Sequence, residues 1–124
     1  MTTRKTLVGQ ITSPDAKPMN VRFVHEDPEP LIQTFTAGDT SPSVVGHNLF
    51  QTANTGSTTI TDFDDGRVGQ RIDVLIQDAN TTIDFTASGL KGNAGVDWTP
   101  TTGDSMYCVY DGTDWFCIVS DNTA

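Results

Sequence analysis

Residues that build helices are scarce in this 124-residue chain, which has 5 Leu, 7 Ala and 2 Glu against 20 Thr and 14 Asp. β-Branched and turn-forming residues favour strands and turns over helices. No apolar run approaches the roughly 18 residues of a membrane helix. The start also lacks the apolar core of a secretory signal. The sequence therefore argues against a helical fold and predicts no membrane partner.

Positive charge is also scarce, with 7 Lys and Arg against 16 Asp and Glu and a net charge of -9. Neutralising phosphates needs clustered cations, so we expect no nucleic-acid partner. The charge is uneven, because residues 1–22 carry a net +3 and the remainder carries -12. The basic side chains of this leading segment are Arg4, Lys5, Lys17 and Arg22. They form either a docking arm or an ordinary solvated end.

Signatures of catalysis and metal binding are missing as well. The chain has 2 Cys and 2 His, and their spacing matches no metal site. It contains no Gly-x-Ser-x-Gly, no phosphate-cradling glycine loop and no His-Glu-x-x-His. The run from Asp62 to Gly66 resembles a calcium loop only faintly and is better interpreted as an acidic turn. We therefore predict no catalytic residue, metal or cofactor.

Short apolar or alternating runs recur about every ten residues, divided by Gly, Pro, Asp and Asn. This spacing predicts an all-β chain with a compact antiparallel sandwich or jelly-roll-like domain. The predicted strands are Thr6–Ile11, Met19–His25, Leu31–Phe35, Val44–Phe50, Thr58–Phe63, Gln70–Ile76, Thr82–Phe85, Val96–Trp98, Met106–Tyr110 and Trp115–Val119. The polar run Thr36–Pro42 divides an extended N-terminal β arm, residues 1–42, from a β domain, residues 43–124.

A weak internal repeat lies within the second part. Ala53-Asn54-Thr55 followed by Thr58–Phe63 resembles the run from Ala79 to Phe85. Two copies are too few for a solenoid. They predict two similar strand-turn units that stack or pair.

The final two strands predict a hairpin. If Gly112-Thr113 is a type II′ loop, Tyr110 faces Trp115 and Cys108 faces Cys117. A type I′ turn at Asp111-Gly112 is the competing register and would separate the cysteines. In the first register both faces are apolar, so we expect a neighbouring subunit to cover one of them. The residues assigned to this trimer interface or to the core are Tyr107, Val109, Phe116, Ile118 and Trp115.

Cys108 and Cys117 allow two interpretations. Opposite positions in a non-hydrogen-bonded pair bring Cα atoms within the range of a disulfide. Two buried thiols that pack as small apolar side chains are the alternative. The aromatic residues Trp98, Trp115, Tyr107 and Tyr110 likewise form either a sugar-binding platform or part of the packing.

Several motifs between Ser43 and Val119 resemble a β domain of tailed-bacteriophage virion proteins. They are Val44-Val45-Gly46 with Phe50 and Thr52–Thr55, Thr58–Phe63, Gly69-Gln70-x-Ile72, Asn80–Ile83, Gly103-Asp104 and Tyr110–Thr113 with Trp115. The resemblance implies a non-enzymatic and usually trimeric domain of tail fibres, tailspikes or head appendages. Residues 1–42 resemble nothing comparable.

A short chain of this kind predicts a capsid decoration, or cement, protein made in the host cytoplasm. It would bind the outer capsid surface as a homotrimer, with the major capsid protein as its partner and the arm as its docking segment. One alternative is a tail-fibre or head-fibre domain that recognises host surface glycan. Another is a small carbohydrate-binding module.

Overall fold

The computed structural model describes residues 31–123, and strands make up nearly all of their regular structure. A single 3-10 turn, Asn93–Gly95, is the exception within this range. The strands are β1 Ile32–Thr34, β2 Leu49–Gln51, β3 Thr58–Ile60, β4 Arg71–Leu75, β5 Thr81–Ile83, β6 Leu90–Lys91, β7 Ser105–Tyr110 and β8 Trp115–Ser120. The all-β class is confirmed. Across residues 31–123, no helix has the length and apolarity needed to cross a bilayer.

Two sheets are present in the described range. One has six strands in the order β1-β2-β4-β7-β8-β6, and the other pairs β3 with β5. The expected antiparallel pairing is correct for β4–β7 and β7–β8 only, because β1–β2, β2–β4, β3–β5 and β6–β8 are parallel. Parallel neighbours need long crossovers. With few helix-forming residues available, the crossovers from β2 to β4 and from β3 to β5 pass through strands of the other sheet.

The weak sequence repeat corresponds to two stacked coils of chain. Ser43 bridges Asp64, β2 pairs with β4, and β3 pairs with β5, so the two coils run parallel at three places. Thr58 lies beside Thr81 and Ile60 beside Ile83, as the similarity of the two runs suggests. The prediction of paired strand-turn units is confirmed.

Several strand bounds differ from the prediction. The run predicted from Val44 begins pairing only at Leu49, because Val45-Gly46 forms a turn with a positive φ of 74° at Gly46. The run ending at Trp98 contributes one bridge, from Trp98 to Ile83, rather than a strand. Strand β6 was not predicted, because a strand of two residues is too short to show an alternation of apolar and polar side chains.

Side chains from both sheets form one buried apolar cluster. Aromatic rings within this cluster contact one another. Phe35, directly after β1, stacks on Phe50 with ring centroids 5.1 Å apart, and Phe63 meets Trp115 of β8 edge-on with ring centroids 5.6 Å apart. Phe35 lies within the segment assigned to the arm, and β1 of the same segment pairs in the large sheet. The predicted strands Thr6–Ile11 and Met19–His25 lie outside the described residues.

Candidate functional site

The β7–β8 hairpin has the register that a Gly112-Thr113 loop predicts. Tyr110 pairs with Trp115 and Cys108 with Cys117. Gly112 has a positive φ of 104°, whereas Thr113 is not among the positive-φ residues, which fits a type II′ turn. The Asp111 carboxylate accepts hydrogen bonds from the Thr113 and Asp114 backbone N–H groups, both at 2.8 Å. The competing type I′ register is wrong.

The side chains on the inward side of the hairpin pack into the core. Met106, Cys108 and Trp115 are buried, and Tyr110 stacks on Trp115 with ring centroids 4.6 Å apart. The Trp115 indole N–H donates to the Phe63 carbonyl at 3.3 Å. This side anchors the hairpin to the rest of the domain.

We define the outer face as the side of the six-stranded sheet that points away from the core. Alternation and register place Ile118, Tyr107, Asp73, Leu49 and Ile32 in one row across five strands. A second row joins Arg71, Val109, Phe116 and Lys91. Ile118 is 69% exposed and Phe116 is 46% exposed. The outer face therefore presents apolar side chains to solvent in the single chain.

Charges on the outer face are few and of both signs. The Arg71 guanidinium donates to the Tyr107 hydroxyl at 2.6 Å, so the ring is held against β4. Asp73 lies between Leu49 and Tyr107 in the register, and Lys91 lies beside Phe116. The other outward side chains of the sheet are uncharged.

The residues assigned from sequence to the trimer interface or core divide between two sides of the sheet. Tyr107, Val109, Phe116 and Ile118 lie on the outer face, whereas Trp115 is 0% exposed on the inner side. The docking residues Arg4, Lys5, Lys17 and Arg22 lie outside the described residues.

Both tryptophans are packing residues. Trp98 is buried and its indole N–H donates to Asp121 at 2.9 Å, and Trp115 lies within the core. Neither ring offers an open face for a sugar. The platform interpretation is wrong for these two residues.

A shallow groove of about 340 Å³ lies between two turns that precede β2 and β4. Its lining residues are Gly46, His47, Asn48, Arg67, Val68, Gly69 and Gln70, none of which is acidic. The Gln70 side-chain amide donates to the Val44 and His47 carbonyls and joins the two turns. Arg67 is exposed, and among residues 31–123 its guanidinium has no hydrogen-bond or ion-pair partner. No sequence motif marks this groove, because its residues come from two separate turns.

The stacked coils share a polar network centred on Asp78. Its carboxylate accepts from the backbone N–H groups of Asn54 and Asn80 and from the Thr81 hydroxyl, which in turn accepts from the buried Asn54 amide. Burial opposes the charge, but these hydrogen bonds and one from Thr52 outweigh it and lower the Asp78 pKa. The network links Asn54 of the first repeat to Asn80 and Thr81 of the second.

A second carboxylate, Asp104, connects the chain end to the turn before β7. It accepts from the Thr101, Asn122 and Thr123 backbone N–H groups and from two threonine hydroxyls. Led by the Thr101 N–H, these hydrogen bonds lower the Asp104 pKa to about 2. Asp104 is therefore a structural anchor.

No three His, Cys, Asp or Glu side chains within residues 31–123 converge as metal ligands. In the acidic run after β3, Asp62 accepts from the Phe63 N–H, and Asp64 and Asp65 accept from serine hydroxyls. These carboxylates stabilise turns, as the acidic-turn interpretation predicts.

Comparison of the sequence with protein-family profiles gave a match. The sequence profile of the phage depolymerase C-terminal beta sandwich domain matches residues 33–116, about two thirds of the chain. The chain belongs to this family. A phage depolymerase C-terminal beta sandwich domain with an all-β structure is a phage virion β domain, in agreement with the resemblance seen in the motifs. Comparisons with curated proteins and with solved structures gave no match.

Proposed function

We propose that this chain is a non-enzymatic structural domain of a tail-type phage appendage that assembles as a homotrimer through the outer face. The observation that carries the proposal is the exposed apolar side of the β7–β8 hairpin. A sheet with one face on the core normally keeps the other face polar. Contiguous apolar exposure marks an interaction site.

Charge explains why a second copy fits this face. Residues 31–123 contain 12 Asp, no Glu and 3 Lys or Arg, so the described domain carries a net charge of -9. The outer face carries Arg71, Lys91 and Asp73, a net of +1. Two acidic copies approach each other with least repulsion where their surfaces are close to neutral. The outer face meets that condition and adds apolar area.

A single substitution tests the assembly. Ile118→Asp places a charge on the outer face, near its β8 edge, without touching the core, so we expect a folded monomer by sedimentation velocity. The wild-type chain should sediment at three times its 13.4 kDa mass. Val45→Asp changes a similarly exposed valine, 63% against 69%, in a turn away from the sheet. It should leave the trimer intact.

Three results would count against this assembly. A wild-type monomer at high protein concentration would overturn it. So would a trimer that survives Ile118→Asp. A dissociation caused equally by Val45→Asp would show that general charge, rather than the outer face, controls association.

The copy number in purified particles distinguishes an appendage from capsid decoration. A trace amount relative to the major capsid protein supports the appendage, and the family description favours that outcome. A ratio close to one copy per shell subunit would instead support a decoration protein that docks on the major capsid protein through Arg4, Lys5, Lys17 and Arg22.

The groove beside Arg67 favours a second role, the binding of host surface glycan that carries carboxylates. The unpaired guanidinium lies in a groove without acidic residues on an otherwise acidic domain. Guanidinium groups bind carboxylates through two parallel hydrogen bonds. Val68 adds apolar surface beside it, and the Asn48 side chain adds an amide.

An NMR titration with an oligouronate tests this role. We expect shifts at the groove in the wild-type chain and at least a tenfold weaker affinity in Arg67→Gln. Lys91→Gln is the matched control, because Lys91 lies outside the groove and donates to the Ser88 carbonyl. Equal binding of a neutral oligosaccharide, or unchanged affinity in Arg67→Gln, would contradict it.

A further inference from the structure

Cys108 and Cys117 face each other across the β7–β8 hairpin. Asp111 donates its backbone N–H to the Asp114 carbonyl at the loop, and alternation then makes Cys108–Cys117 a non-hydrogen-bonded pair. Cα atoms in such a pair lie about 4.5 Å apart, within the range that a disulfide spans. The register therefore brings the two cysteines to a backbone separation compatible with a disulfide.

Both side chains point to the inner side of the sheet and are present as free thiols. Burial raises the Cys108 pKa, and the neighbouring Cys117 thiol raises it further. The Cys117 thiol donates to the Trp115 carbonyl at 3.8 Å. In the closed domain the Cys108 thiol is thus neutral and slow to react.

Cys117 is the more accessible cysteine of this pair. Strand β6 pairs only with Trp115 and Phe116, so from Cys117 onward β8 has no neighbouring strand on that side among the described residues. Cys117 is 8% exposed, whereas Cys108 is 0% exposed. Local opening of this edge exposes Cys117 first.

We propose that Cys108 and Cys117 form an intrachain disulfide when the chain meets a low-molecular-weight organic disulfide such as oxidised glutathione. The Cys117 thiolate attacks one sulfur of the oxidant, forming a mixed disulfide and releasing one thiolate. The Cys108 thiolate then attacks the Cys117 sulfur and displaces the second thiolate. The two cysteine protons pass to the released thiolates, so the cysteine pair loses two electrons and the oxidant gains them.

The bond would connect the two strands that carry the exposed apolar side chains. The crosslink fixes the hairpin register and limits fraying of the β8 edge. A reducing host cytoplasm keeps the thiols free during synthesis, and an oxidising exterior closes the bond in a released particle. The inference is independent of the trimer and of glycan binding, because both thiols lie on the inner side of the sheet.

The test uses the full chain incubated with a series of glutathione redox buffers. Each sample is then unfolded in denaturant in the presence of iodoacetamide, which alkylates free thiols. Its intact mass is measured by mass spectrometry. In oxidising buffer we expect no alkylation, a mass lower by two hydrogen atoms and a single-chain species on a non-reducing gel. The melting temperature should rise by roughly 5–15 °C. A Cys108→Ala/Cys117→Ala variant should show neither change.

The buried thiols react slowly in the folded chain. The incubation is therefore repeated at a denaturant concentration at which the chain unfolds and refolds reversibly. Full alkylation after that equilibration would overturn the proposal, because the folded geometry would then disfavour the bond. A stable mixed disulfide on Cys117, or a disulfide between chains, would overturn it as well. A change in melting temperature that also appears in the double alanine variant would assign the effect to the buffer.

Discussion

The two sides of the β7–β8 hairpin have similar apolar composition but opposite surroundings. Met106, Cys108 and Trp115 are enclosed by the second sheet and the loops, whereas Phe116 and Ile118 face solvent in the single chain. The difference teaches that apolar composition alone does not locate a core. A core needs side chains on a second layer to cover it, and the described part of this chain covers only one side.

Trp115→Ala, on the enclosed side of the hairpin, should lower the stability of the domain more than the other substitutions below. Trp115 is 0% exposed, stacks on Tyr110 and meets Phe63 edge-on. Removing a buried tryptophan leaves a cavity, so we expect a loss of about 3–5 kcal/mol in the free energy of unfolding by urea titration. A loss below the effect of an exposed substitution would contradict the assignment of this ring to the core.

Thr81→Val tests the polar link between the stacked coils. The change keeps the shape but removes a hydroxyl that accepts from Asn54 and donates to Asp78. Leaving the buried Asn54 donor unpaired should cost about 1–3 kcal/mol of unfolding free energy. Thr82→Val is the control, since its hydroxyl makes no hydrogen bond to residues 31–123. Equal losses in the two variants would disprove the network's role.

Gly66→Ala tests how closely the loop covers Trp115. A Cβ at Gly66 would lie 2.5 Å from Trp115 Cζ2 and 3.0 Å from Tyr110 Cδ2, so the rings must shift. Such overpacking should lower the unfolding free energy by about 1–3 kcal/mol. Gly56→Ala has open space around the new Cβ and should change stability far less. The pair separates steric crowding from the general effect of replacing a glycine.

The Asp104 carboxylate makes the stability of the domain depend on pH. Its folded-state pKa of about 2 lies below the ordinary value of 3.8, so its stabilisation is complete above pH 3.8 and is lost as pH falls towards 2. Asp104→Asn should therefore melt at a lower temperature than the wild type at neutral pH, with the difference shrinking in this acid window. Asp114→Asn is the control, because that carboxylate accepts no hydrogen bond within residues 31–123. A pH-independent difference for Asp104→Asn would refute the assignment.

Ile118→Thr should have the smallest effect on the dilute single chain. The side chain is 69% exposed and threonine keeps its β-branched shape, so we expect a change within about 0.5 kcal/mol in unfolding free energy. The same change should weaken association measured by sedimentation, because the outer face loses apolar area. A large stability loss at dilutions where only monomer is present would mean that the outer face is already covered within the chain.

Much of the fold was accessible from local patterns. The alternation of apolar residues predicts β1, β3, β4, β5, β7 and β8 to within a few residues, and the Gly112-Thr113 loop predicts the hairpin register. The repeated Asn-Thr runs predict two similar units that stack or pair, and β3 does pair with β5. The candidate surface was also foreseen, because period-two alternation assigns Tyr107, Val109, Phe116 and Ile118 to one side.

Other features depend on distant parts of the chain. The parallel direction of β1, β2 and β4 follows from the route of the crossovers, which no local pattern encodes. The groove beside Arg67 arises only when two turns come together. Burial of Trp98 and Trp115 likewise depends on layers formed by residues far away in sequence.

The sequence by itself determined the all-β class, the hairpin register and the apolar character of both hairpin sides, because alternation and turn chemistry act over a few residues. Only the tertiary structure decided which side is enclosed, which strands run parallel and which charged group stays unpaired. Those outcomes depend on how separate layers pack, since a side chain is buried only when another part of the molecule covers it.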